Sequence, residues 1–264
     1  MLDASAFLGE WPFRSLAATD PDSLRQLLVA EGFTGACVSP LAGLFQADPE
    51  PANREWAERL RGDVFYRFVP VLNPTLPGAV AALTALRERE RAVAVRLHPN
   101  YHGYRPTEPC CLALARAAAE LRLPVLLQLR MQDLRSMHPL AQVPDVSWRE
   151  SLALAQACPK TSLVIAGAKW GEANSLRKEG RELPRLFLET SHLEYVDPLR
   201  RFLDSWGADR LLIGSHAPLF TPAAARLKLS LARLSPVERE ALTHSGAMQL
   251  GLIRDEPPTQ EPLR

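Results

Sequence analysis

Short apolar runs alternate with amphipathic stretches along the whole chain. The runs Leu2–Leu8, Gly35–Ser39, Phe65–Leu72, Ala92–Leu97, Val125–Leu129, Ser162–Ala166, Leu186–Glu189 and Leu211–Ile213 are too short for helices. Several lack polar alternation at their centres, as expected for strands covered on both faces. The stretches between them read as helices. Asp20 caps the first, with Pro21 at its first position and Leu24, Leu27 and Leu28 on one face. Further helices are predicted at Ala52–Arg61, closed by Gly62, and at Pro77–Arg89, Pro109–Leu121, Trp148–Ala157, Glu172–Lys178, Pro198–Trp206, Pro222–Leu234 and Pro236–Leu250. Alternation of this kind implies a parallel sheet with right-handed crossovers. Eight strand–helix units predict closure into a single-domain α/β fold, the TIM (β/α)8 barrel, and the 264 residues suit it. The barrel is expected over residues 1–254, with a flexible tail at 255–264 that is rich in proline and charge.

Composition narrows the partners. Lys and Arg total 31 against 30 Asp and Glu, giving a net charge of +1. That balance gives no footprint for nucleic acid and no acidic tail for a protein partner. No apolar run is long enough to cross a membrane, and Met1–Phe7 reads as a strand rather than a targeting segment. Cys37, Cys110, Cys111 and Cys158 show no CxxC spacing and read as buried thiols, which suits a reducing, cytoplasmic setting. Barrels of this size commonly pair, which leaves a homodimer open.

Chemistry gathers at the carboxyl ends of the strands, where parallel barrels build their sites. Residues two apart on a strand share a face. Asp3 and Ser5 share one on the first strand, Arg96 and His98 on the fourth, and Gln128 and Arg130 on the fifth. The seventh strand ends in Glu189-Thr190-Ser191-His192, and the eighth delivers His216. An unpaired buried Arg or Gln costs several kcal/mol, so packing alone does not explain their recurrence at one end of the barrel. The loop after the fourth strand adds Tyr101, His102 and Tyr104 around Gly103. The long connection Arg130–Val146, with Asp133, Arg135 and His138, has the length of a lid.

The stretch Gly207-Ala208-Asp209-Arg210-Leu211-Leu212-Ile213-Gly214-Ser215-His216-Ala217-Pro218 resembles the last strand of the amidohydrolase-related family, within the metal-dependent hydrolase superfamily. That family has Gly-Ser-Asp-x-Pro there. Leu2–Gly9 is similar to its opening Asp-x-His-x-His strand, Leu123–Gln128 to its fifth, Ser162–Ala168 to its sixth, and Leu234–Leu250 to its closing helix. The resemblance implies a TIM barrel that hydrolyses or decarboxylates small carboxylates and amides at a metal. It also implies a degenerate metal site. The family's ligand positions correspond to Ser5, Phe7, Gln128, Gly167 or Ala168, and His216, a set unsuited to a divalent ion. Only Asp3 matches unchanged.

Three readings follow. The leading one is a hydrolase or lyase for a small anionic, carboxylate-bearing molecule, without metal or other cofactor. Arg96 and Arg130 would hold the carboxylate and His98 and His216 would move protons. Asp3 would activate water or orient a histidine, and Tyr101, His102, Tyr104 and Gln128 would line the pocket. The second relocates a single metal to Asp3, His98, His192 and His216. The third is a catalytically inactive barrel that binds a ligand.

Overall fold

The computed structural model describes residues 1–89 and 91–253; the tail expected at 255–264 lies outside them. Nine parallel strand segments are seen among the described residues: β1 (Leu2–Leu8), β2 (Gly35–Pro40), β3 (Tyr66–Phe68), β4 (Val71–Leu72), β5 (Val95–Leu97), β6 (Val125–Gln128), β7 (Leu163–Ala166), β8 (Leu186–Glu189) and β9 (Leu211–Leu212). The ladders run β1-β2-β3 and β4 through β9 in chain order. The expected third strand is split into β3 and β4 because Pro70 has no N–H to give the ladder. The chain stays in the barrel wall there: Val69 N–H donates to the Val38 carbonyl at 2.9 Å and Arg96 N–H to that of Pro70 at 2.8 Å. Closure between the last and first strands comes from three bonds: Ala4 N–H to Ile213 at 2.7 Å, His216 N–H to Ser5 at 2.8 Å, and Phe7 N–H to Ala217 at 2.8 Å. The chain therefore forms eight staves, as its pattern predicts.

Helices wrap this wall: α1 (Pro21–Val29), α2 (Ala42–Phe45), α3 (Glu50–Arg59), α4 (Ala79–Arg89), α5 (Pro99–His102), α6 (Pro109–Glu120), α7 (Trp148–Ala157), α8 (Trp170–Glu179), α9 (Pro198–Trp206), α10 (Ala223–Leu231), α11 (Pro236–Glu240) and α12 (Gly246–Gln249). The Asp20 carboxylate accepts from the Asp22 and Ser23 amides, the cap expected for α1. The one-turn helices α2 and α5 were not legible as periodicity, since four residues cannot show it. The segment expected as one helix at Pro236–Leu250 is broken by a π turn at Ala241–Ser245.

Apolar side chains sort into three clusters. The largest fills the space between strands and helices and includes Leu97, Leu127, Leu129 and Ile165. A second floors the barrel with Val69, Ala94, Leu126, Val164, Phe187 and Leu212, sealed from below by Ala247 and Leu250. The third sits at the opposite, carboxyl end and is built from Phe7, Trp11, Leu41, Leu44, Met131 and Leu219. Alternation fixes what lies between. Two residues beyond Cys37, Ala94, Leu126, Phe187 and Leu212 come Ser39, Arg96, Gln128, Glu189 and Gly214. A polar layer is thus enclosed between an apolar floor and an apolar plug.

The interruption at Pro70 has its own repair. The buried Asn53 amide accepts from Val71 N–H at 2.9 Å and donates to the Val71 carbonyl at 2.7 Å, standing in for a strand neighbour. Asn53→Ala leaves two buried backbone groups unanswered and should cost roughly 2–4 kcal/mol. Urea unfolding of the two proteins measures this; equal midpoints would show that the backbone finds other partners.

Candidate active site

The polar layer is organised by Arg96, which has no exposed surface. Its Nε donates to Ser39 Oγ at 2.9 Å, and its Nη1 donates to Ser5 Oγ at 3.1 Å and Gln128 Oε1 at 2.6 Å. Gln128 is held in turn, its Nε2 donating to the Arg130 carbonyl at 2.8 Å. The Phe7 ring lies against the guanidinium, 4.5 Å from carbon to centroid. Nη2 has no partner. Burial pulls the guanidinium down to about 10, offset by the nearby Glu189 and Asp3 carboxylates.

Asp3 shapes the turn that carries His216. Its carboxylate accepts from Ser5 N–H and Ser215 N–H, each at 3.0 Å, and from the Ser215 hydroxyl. Ser215 Oγ then accepts Ala217 N–H at 2.9 Å. Burial raises the Asp3 carboxyl, and these donors oppose the rise. Between the two anchored residues His216 adopts φ 58°, a left-handed backbone that costs a side-chain-bearing residue about 1–2 kcal/mol. Its Nε2–H donates to the Met131 carbonyl at 2.8 Å, so the free lone pair is on Nδ1, which is buried without a partner. Its ring meets Phe7, His192 and Phe220 at 4.8–4.9 Å. His98 is fully buried and neither ring nitrogen has a partner. Desolvation, then the Arg96 charge, holds His98 well below its ordinary value; desolvation takes His216 to about 3. Both imidazoles are neutral at physiological pH.

Other expected residues fall elsewhere. Arg130 does not share the mouth with Arg96. Its guanidinium turns to the Glu172 carboxylate at 2.5 and 2.6 Å and to Asp145 at 2.9 Å, so its charge is already answered. Glu172, at the start of α8, gave no sign of this in the sequence. Tyr104 is buried between strands and helices rather than in the mouth. His102 Nε2–H donates to the Gly43 carbonyl at 2.9 Å, and Tyr101 packs edge-on to Phe45. Tyr101 also lines a cavity of about 130 Å³ with Trp11, Phe13 and His138, above the apolar plug.

Sequence reasoning missed a chain along β8. Ser191 Oγ bonds both Glu189 Oε2 and His192 Nδ1 at 2.8 Å, and His192 Nε2 is buried without a partner. The signal was the two-residue spacing of Glu189 and Ser191. Desolvation pushes the Glu189 carboxyl up to about 7. Gly214 faces this carboxylate, and a Cβ there would overlap it.

The amidohydrolase family model matches residues 17–250. The chain belongs to the amidohydrolase family. Solved structures agree in fold. The 5-carboxyvanillate decarboxylase of Sphingomonas paucimobilis matches at 12% identity over 96% of this chain and 99% of that one, with a TM-score of 0.77. A dihydroxybenzoic acid decarboxylase of Polaromonas sp. JS666, with bound manganese and 2-nitroresorcinol, matches at 16% identity over 95% and 96%, with a TM-score of 0.73. A putative amidohydrolase of Staphylococcus aureus matches at 13% over 96% and 100%, with a TM-score of 0.72. No curated relative matches. Among the described residues no helix is long and apolar enough to cross a membrane.

At the positions that the resemblance assigns to ligands, this barrel does not offer the donors a metal ion needs. Ser5 and Gln128 spend their oxygens on Arg96, Phe7 covers the guanidinium, and His216 Nε2 is committed to a carbonyl. Gly167, where a ligand would be expected, has φ 77°, and a Cβ there would lie 2.8 Å from Gln128 Nε2 and 2.9 Å from the Arg130 carbonyl. Among the described residues no three His, Cys, Asp or Glu side chains are grouped to hold an ion. The relocated set of Asp3, His98, His192 and His216 is included in that result.

Glu189 predicts a pH dependence of stability. A carboxyl raised in the fold from 4.5 to about 7 binds its proton more tightly than in the unfolded chain. Its contribution is therefore present below pH 4.5 and lost as pH rises through 7, up to ~3 kcal/mol in all. Glu189→Gln should flatten this loss between pH 5 and 8 in urea unfolding. An unchanged pH profile would show that Glu189 is ionised at no cost.

Proposed function

We propose that this protein is an enzyme of the amidohydrolase fold that acts on a small carboxylate without a metal. Arg96 serves as its fixed cation, and His98 and His216 as its proton-moving groups. One observation carries this reading. Arg96 Nη2, both nitrogens of His98 and Nδ1 of His216 are buried polar atoms without partners in one connected region under the mouth. Each such atom costs ~1–3 kcal/mol, and several together are the signature of a site that binds something polar. A carboxylate takes the free Arg96 N–H groups. Neutral His216 presents a fixed lone pair at Nδ1, able to accept a proton from water or substrate. His98 has one nitrogen to give a proton and one to take it. Arg96 then stabilises negative charge as it develops, the part a metal plays elsewhere. The structural relatives named for 5-carboxyvanillate and dihydroxybenzoate decarboxylation make aromatic carboxylates the first compounds to assay.

The closed mouth favours a second reading, a barrel that binds without turnover. Phe7, Leu41, Leu44, Met131 and Leu219 cover the polar layer completely, and Met131 belongs to the long loop expected to act as a lid. In the catalytic reading this loop must open to admit substrate.

His98→Phe separates function from structure. It removes two unpartnered buried nitrogens and keeps the ring, so thermal stability should rise by roughly 1–3 kcal/mol while turnover of the responsive carboxylate falls at least a hundredfold. A variant that turns over normally, or one that loses stability, would contradict the assigned role. A wild-type protein that binds carboxylates but converts none would favour the second reading.

A further inference from the structure

We infer that a cavity beside the sealed centre, between the β6, β7, β8 and β9 loops, is a binding site for a small planar carboxylate. His192, Lys169 and the first turn of α8 are its recognition groups. The cavity measures about 300 Å³, the lower end of the range for small-molecule sites. It adjoins the Arg96 centre, since His192 and Phe220 both meet the His216 ring at 4.8–4.9 Å, but it opens between different side chains.

Three features converge on it. His192 is 94% buried, from 6% relative exposure, and lines the cavity; its Nε2 has no partner while its Nδ1 is fixed by Ser191. When Glu189 carries its proton, its O–H donates to Ser191, Ser191 donates to Nδ1, and Nε2 bears the hydrogen, a donor for an anion. Burial of Glu189 populates that state near neutral pH. The second feature is α8, a ten-residue helix whose first residues, Trp170 and Gly171, line the same cavity. Amides at a helix start have no intrahelical acceptor and favour negative charge. The Glu172 carboxylate takes the Lys169 N–H at 2.9 Å and is paired with Arg130, which leaves the cavity-lining turn at Trp170 and Gly171 to the ligand. The third feature is shape and charge. Trp170 is locked by stacking on Tyr195 at 4.4 Å, and with Phe220 it gives the cavity aromatic walls suited to a flat ring. Lys169 adds an ammonium, which also faces Asp145 at 3.9 Å. The rim also holds Asp133, bonded to Arg135 and 3.3 Å from Lys169, and Glu194. Around His192 itself the charges are positive, from Lys169, Lys228 and Arg130.

Isothermal titration of the full-length protein with benzoate tests the site. Saturable binding is expected, weakened roughly tenfold or more in both Lys169→Gln and His192→Phe, the scale of a lost charge-assisted hydrogen bond. Lys169 is half exposed, so its variant should fold even if His192→Phe does not. Repeating the titration in a His98→Phe background removes a group of the proposed catalytic centre, and the loss caused by Lys169→Gln should persist there. Absence of saturable binding, or equal affinity in the His98→Phe protein with and without Lys169→Gln, would overturn the assignment.

Discussion

A guanidinium enclosed in protein must have its charge and its N–H groups answered by neighbouring oxygens, and the barrel interior is arranged to do this for Arg96. Ser5 on β1, Ser39 on β2 and Gln128 on β6 converge on it. Asp3 supplies opposing charge, joined by Glu189 when its carboxyl is ionised. The consequences spread outward. Gln128 is clamped to the Arg130 backbone, and its amide fills the space that a side chain at Gly167 would need. Phe7 closes over the cation and is itself the centre of the apolar plug. Breaking a buried charge arrangement by removing one partner typically costs ~3–5 kcal/mol, so these positions are tied to one another.

The same arrangement accounts for the residues at the positions that the resemblance assigns to metal ligands. Two positions that the resemblance assigns to ligands, Ser5 and Gln128, are hydrogen-bond acceptors for Arg96, and a third, Phe7, packs on its face. A cation is still present in the polar layer, but it is covalently part of the chain. An arginine brings directional donors and no open coordination position. In the proposed reaction it binds and stabilises negative charge, and the imidazoles beside it move the protons.

Much of this was legible in the chain. Apolar runs and their spacing marked all eight staves, and the two-residue step placed Arg96 with His98 and put Gln128 on the inner face while turning Leu97 outward. The sequence could not tell where a long side chain would find its partner. Arg130 pairs with Glu172 and Asp145, set by loop geometry that local pattern does not encode. Tyr104 was grouped with Tyr101 by proximity, yet the turn at Gly103 sends it into the helix layer. The Glu189-Ser191-His192 chain is spaced visibly, but its meaning depends on Gly214 leaving room for the carboxylate. The apolar plug gathers residues from four separate stretches of chain, and only the closed barrel brings them together.

The claim that Arg96 stands where the family places its metal is tested most directly by manganese titration of protein purified without chelator. Elemental analysis of the starting material and unfolding with and without EDTA complete the measurement. The account predicts substoichiometric metal, no saturable manganese binding, and a melting temperature indifferent to EDTA. One tightly held divalent ion per chain, with a melting temperature that falls on its removal, would contradict it.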